Sequence, residues 1–177
     1  MIRALLSSGA LLLWAGASAA QGVEADPGSF GAVQVGIFCT EDTGERAPAP
    51  GSVAGHMNLV GEIELRAETL VVPVSPDLTF GFRAQVLRDV PDAVMRITHP
   101  PFRGRGATEQ WFAERLAAGV VDHGLYTFDN GYEMVEGPWR FEISEGGRTL
   151  LSVALRMVPP SQAPQFVGLC QGPPLMG

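Results

Sequence analysis

The sequence predicts an all-β fold, two antiparallel sheets packed face to face. Three observations lead there. Apolar and polar residues alternate with period two, most clearly from Thr79 to Val86, where Phe80, Phe82, Ala84 and Val86 alternate with Gly81, Arg83 and Gln85. Turn residues separate the runs, as at Val90-Pro91-Asp92, Asp129-Asn130-Gly131 and Glu145-Gly146-Gly147. The runs are short and recur along the chain, which is the pattern of a two-layer sandwich of about seven to nine strands.

The first element is an export signal. Met1-Ile2-Arg3 is a short basic start, and an apolar stretch runs from Ala4 to Ala15. Gly16-Ala17-Ser18-Ala19-Ala20 then supplies small residues for cleavage, placed after Ala20 or alternatively after Ala19. An uncleaved anchor is the other reading. It is disfavoured because Ser7, Ser8 and Gly9 interrupt a core already short of the about 20 residues a span needs. No cysteine follows the site for lipid attachment, and no later segment is long and apolar enough to span a bilayer. The expected location is periplasmic or secreted.

Residues 21–29 read as a loose, flexible leader. A strand follows from Phe30 to Phe38, with Val33, Val35 and Ile37 on one face. Residues 40–55, with Ala47-Pro48-Ala49-Pro50-Gly51, read as a long surface loop. Ile63, Leu65 and Ala67 mark a second strand, and Thr69 to Val74 a third apolar piece closed by Pro76-Asp77. After Thr79 to Val86 comes a strand from Val94 to His99, then a Gly- and Arg-rich loop over 102–107. Residues 108–118 stay open: Thr108 is placed to cap a short helix with Phe112 and Leu116 one turn apart, but the surrounding period of two favours strand or irregular structure.

Leu125 to Phe128 and Tyr132 to Val135 read as short β pieces. Trp139, Phe141 and Ile143 form one face of the next strand, and Leu151, Val153, Leu155 and Met157 the face of its return. A slip of one residue flips a strand's faces, so pairing apolar with apolar requires an odd loop. The expectation is a three-residue turn, Glu145 to Gly147, with Phe141 opposite Leu151 and Trp139 opposite Val153. Pro159-Pro160 ends that strand. The tail, residues 159–177, contains Phe166-Val167-Gly168-Leu169-Cys170, which echoes Val35-Gly36-Ile37-Phe38-Cys39. It is expected to lie beside the first strand, stapled by a disulfide between Cys39 and Cys170. Two free thiols, or an intermolecular bridge, are the alternatives. The domain proper is expected over 30–158.

The stretch Tyr126-Thr127-Phe128, Glu133, Gly137-Pro138-Trp139-Arg140-Phe141-Glu142-Ile143, Gly147-Arg148 and Leu150, with Phe80-Gly81-Phe82 and His99-Pro100-Pro101 before it, resembles a family of exported bacterial proteins known as domain of unknown function 3859. The resemblance runs from about Phe30 to Val158. It implies an immunoglobulin-like sandwich, no assigned reaction and no catalytic residues to carry over.

The chain has a formal net charge of −7, and loss of Arg3 with the signal makes it one unit more negative. That charge repels phosphate backbones and argues against a nucleic-acid partner. Every basic residue is arginine, which is the expected trace of GC-rich codons. His56, His99 and His123 are isolated and lack metal-ligand spacing, and no cofactor motif is present. Asp122-His123 has no serine in a nucleophile elbow. Glu62, Glu64, Glu133, Glu136 and Glu142 read as solvated faces rather than paired catalytic acids. The remaining candidates for binding are Arg103 and Arg105, whose interleaved Gly104 and Gly106 suit an anion-binding loop or else a flexible solubilising one, and Trp111, as part of a sticky patch or else a residue that completes the core. These readings point to a non-catalytic exported module that binds a protein or a cell-envelope component. The rival is an envelope hydrolase whose site forms only in three dimensions.

Overall fold

A computed structural model describes residues 22–170. The signal peptide expected over residues 1–20 lies outside them, as does the tail beyond Cys170. The described residues form ten strands: β1 (Gly22–Ala25), β2 (Phe30–Pro48), β3 (His56–Glu68), β4 (Val71–Pro73), β5 (Thr79–Val86), β6 (Val90–Thr98), β7 (Glu109–Leu116), β8 (Val121–Thr127), β9 (Gly137–Glu145) and β10 (Arg148–Val158). One sheet has the order β1-β10-β9-β6-β7, with β4 added in parallel beyond β1 on the same edge of β10. The other has the order β3-β2-β5-β8. The all-β sandwich is as the alternation predicts, and β5 has the expected bounds.

The core lies between the sheets. Ile37, Phe80 and Phe82 from one sheet meet Trp139, Phe141, Ile143 and Val153 from the other, all at most 1% exposed. Trp139 sits edge-on to Phe80 and Phe128, with ring centroids 5.4 and 5.7 Å away. Such edge contacts suit the aromatic quadrupole and add to the burial of large apolar area.

Four local expectations are corrected. The expected loose leader is ordered: Gly22–Ala25 pairs with Leu151–Ala154, and the Asp26 amide donates to the Leu150 carbonyl. The expected loop over 40–55 is mostly a β-ribbon, because β2 runs on to Pro48 and pairs with β3 starting at His56. Its residues 41–46 are exposed on both faces, so no apolar alternation marks them. Residues 108–118, left open but with strand favoured, hold strand β7, with Gln110 and Leu116 inward. Tyr132 to Val135 is a turn whose apolar residues cap the core rather than line a sheet.

The β9–β10 hairpin is the most instructive correction. Its turn has two residues, Gly146 and Gly147, both in the left-handed region at φ 55° and 81°. That geometry matches the right-handed twist of the flanking strands. The odd residue needed to match the faces comes from a bulge at Leu150, which is 1% exposed. Phe141 therefore faces Val153 and Trp139 faces Leu155. Apolar still meets apolar, two residues out of the expected register.

Cys39 and Cys170 form the expected intramolecular disulfide, with Cα atoms 5.3 Å apart. The tail that carries Cys170 is not a strand. It makes two 3-10 turns, Pro160–Gln162 and Pro164–Phe166, and seats Phe166 and Leu169 on the core. Prolines 159, 160 and 164 lack the amide hydrogens a ladder needs.

Candidate functional site

The residues with most chemical potential gather in two places. The first is the end of the sandwich under the β2–β3 ribbon. There His99 leaves β6, Tyr126 ends β8, and the turn after β8 brings in Tyr132 and Glu133. Glu133 is 4% exposed and accepts hydrogen bonds from the Asn130 amide at 3.0 Å and the Asn130 side chain at 3.1 Å. Burial, with this carboxylate beside them, raises the pKa of the Tyr126 and Tyr132 phenols. Gln110 is 3% exposed; it donates to the Tyr126 hydroxyl and accepts from the Val53 amide at the ribbon tip. Asn58 in β3 donates to Asp129 at 2.8 Å, which fastens the ribbon over the turn.

His99 is 6% exposed and stacks on Phe102, ring centroids 3.8 Å apart. Its Nδ1 lies 2.8 Å from the Pro100 carbonyl, which can only accept, so Nδ1 carries the proton. Nε2 is left as a buried acceptor with no partner among the described residues. Burial lowers the His99 pKa and keeps the ring neutral. The residues on which the family resemblance rests, His99, Tyr126, Phe128, Glu133 and Trp139, meet at this end. Their arrangement is a buried polar cluster wrapped in aromatic rings, in which Asn130 serves Glu133 and Gln110 serves Tyr126.

The second place is the side of the sandwich where edge strands β7 and β8 face each other. Asp122 pairs with Ala84 and Tyr126 with Phe80, so both point inward with that buried face of β5. Glu114 is on the inward face of β7, with Gln110 and Leu116. Burial, and secondly Asp122, push the Glu114 pKa up to about 8. Burial also raises the Asp122 pKa, which the His123 amide and ring offset in part. Sequence reasoning missed this pair because its members lie on different sheets and neither forms a motif.

The sequence-derived candidates do not converge. Arg105 lies over the Tyr132 ring, its guanidinium carbon 4.1 Å from the centroid. The amides of Phe102, Arg103, Arg105 and Gly106 already donate to carbonyls within the fold, so they do not converge on an anion. Trp111 is 49% exposed on β7, and its amide donates to Gly51 of the ribbon tip. A Cβ on Gly51 would stand 2.0 Å from the Trp111 carbonyl oxygen, so only glycine permits this approach. His123 is next to Asp122 in sequence, but adjacent strand residues point to opposite faces. It pairs with Arg83 and shares its outer face. A groove of about 250 Å³ between the start of β9 and the end of β10 is lined by Glu136, Arg156 and Gln162 among others, and holds none of the histidines. No cluster of three or more metal-ligating side chains occurs among the described residues. No helix among them is long and apolar enough to cross a membrane.

Residues 28–154 match the family described as Domain of unknown function (DUF3859). No curated protein matches the chain. Among solved structures, the crystal structure of an immunoglobulin-like protein (PA1606) from Pseudomonas aeruginosa is similar, with a TM-score of 0.52 and 21% identity, covering 81% of this chain and 100% of that one. At that identity the likeness shows the fold alone, an immunoglobulin-like sandwich.

Proposed function

The chain belongs to the DUF3859 family, and from that premise we propose that it is an exported, non-catalytic module that binds a protein or a cell-envelope component through its exposed edges and loops. Export rests on the basic, apolar and small-residue order of positions 1–20. Binding rests on the outer edge of β3. This strand runs from His56 to Glu68 at the margin of its sheet, and no other strand pairs with its outer side among the described residues. Met57, Leu59 and Val60 are 39%, 38% and 37% exposed along it. Unpaired edge backbone with apolar side chains is a template for an added strand. Trp111, Arg103 and Arg105 are proposed as further contacts.

The test is capture from envelope extract on immobilised protein, repeated after cross-linking in cells, with an unrelated sandwich domain as control. A partner retained in both formats, and lost on Leu59→Lys, is expected. Absence of any partner above control in both formats refutes the reading. One observation favours the rival hydrolase: Glu114 is held protonated beside a second carboxyl, an arrangement suited to acid–base chemistry. Turnover on a broad hydrolase panel, abolished by Glu114→Gln, would replace the binding reading.

A further inference from the structure

The side of the sandwich between β7 and β8 has a regular geometry. The cross-sheet hydrogen bond from Gln110 to the Tyr126 hydroxyl, 3.3 Å long, fixes which residues face each other. The two strands run in opposite directions, so each step of two along β7 is met by a step of two back along β8. By that count Glu114 comes opposite Asp122 across the seam, and Asp122 is the charge that acts on the Glu114 carboxyl. The next inward position on β7 is Leu116, buried beside Val90. The two carboxyls thus occupy the last polar rung of a seam joining one sheet to the other.

Apart from the His123 amide and ring, which act on Asp122, little else serves the pair. Among the described residues, Glu114 Oε2 and Asp122 Oδ2 are buried atoms with no hydrogen-bond partner, and neither side chain takes part in a salt bridge. The strand neighbours facing them, Ala93 on β6 and Ala84 on β5, are uncharged. The His123 ring acts on Asp122 from the outer face of the sheet. His123 and Arg83 are on the outer face of their sheet, and Arg115 is on the outer face of β7. Arg88 is paired with Glu145, and Asp89 accepts from the Ala118 amide. Two ionised carboxylates in such a site repel one another, whereas one proton between them makes a short, charge-assisted hydrogen bond.

We propose that Glu114 and Asp122 share one proton and act as a clasp between the two sheets, released when rising pH removes that proton. The bond formed is O–H···O⁻ across the seam, and the released proton goes to solvent. Release sets two negative charges against each other and loosens β7 and β8, the free edges on this side. The burial that raises both acids is consistent with a clasp closed at neutral pH.

The test is a pH titration of the folded, disulfide-bonded protein with carboxyl carbons followed by NMR. Glu114 and Asp122 are expected to titrate as a coupled pair, the second proton leaving about two or more pH units above an ordinary carboxylic acid. Amide exchange in β7 and β8, corrected for its intrinsic pH dependence, should accelerate about tenfold or more through that step, while β9 and β10 stay protected. Glu114→Gln can donate to the Asp122 carboxylate at any pH and should keep both strands protected. Independent titration of the two carboxyls in the ordinary range overturns the proposal. So does the same loss of protection in Glu114→Gln. If that variant does not fold, the wild-type titration decides alone.

Discussion

Trp139 touches more of the aromatic core than its neighbours do, with Phe80, Phe102, Tyr126, Phe128 and His99 all against its ring. Its Nε1 donates to the Val135 carbonyl, so the same side chain holds the turn that carries Glu133. Trp139→Ala should cost about 3–5 kcal/mol in urea unfolding, through the cavity it leaves. Glu114 gives a different signature. Its folded pKa, about 8, lies above the ordinary 4.5, so its contribution to stability is complete below pH 4.5 and is lost as pH rises toward 8. His99 and His123 act oppositely: burial lowers both, so stability falls as pH drops below 6.5. The Glu114 slope therefore stands clear between about 6.5 and 8, and amounts to at most about 1.4 kcal/mol per pH unit. Denaturation midpoints across that interval should fall in the wild type and stay level in Glu114→Gln. Of these residues, Trp139 is legible in the sequence as an inward strand position. Glu133 and Glu114 are not. Glu133 is buried by a turn that has no periodicity, and Glu114 by a strand from the other sheet.

Strands with one face in the core announce themselves, and β5, β9 and β10 were readable for that reason. The ribbon was not, because both its faces meet water over residues 41–46, so no apolar alternation marks its pairing. β1 was missed because a four-residue piece, exposed from Val23 to Ala25, carries no pattern, although β10 pairs with each residue of it. The hairpin parity was readable and its register was not, since a bulge and an odd loop have the same effect on the faces. The ribbon's attachment to β7 is open to a direct check. Gly51→Ala places a methyl group into the Trp111 backbone and indole, and should lift the ribbon tip. Amide exchange at Trp111 is expected to quicken about tenfold or more, with a fall in the melting temperature of about 4 °C or more.

At the scale of the whole molecule, the alternation and the turn residues were enough to give a two-layer antiparallel sandwich, because period two with one buried face admits few architectures, and the family resemblance implied its immunoglobulin-like form. The order of strands within each sheet was not readable, since it depends on contacts distant in sequence. The disulfide was readable from compartment and cysteine count. It ties the tail after β10, a strand of one sheet, to β2 in the other, across a separation of 131 residues. Replacing Cys39 and Cys170 together by serine should lower stability by up to about 4–5 kcal/mol, measured by urea unfolding, with the sheets retained by circular dichroism.

That link makes a covalent ring of the backbone between the two cysteines, and the ring includes nearly all of the domain. A protease that nicks the solvent-bathed arm at 41–46 would open the ring without freeing either fragment. Digested protein is expected to migrate as one band without reductant and as two with it. A protein built this way can be cut once and still stay in one piece.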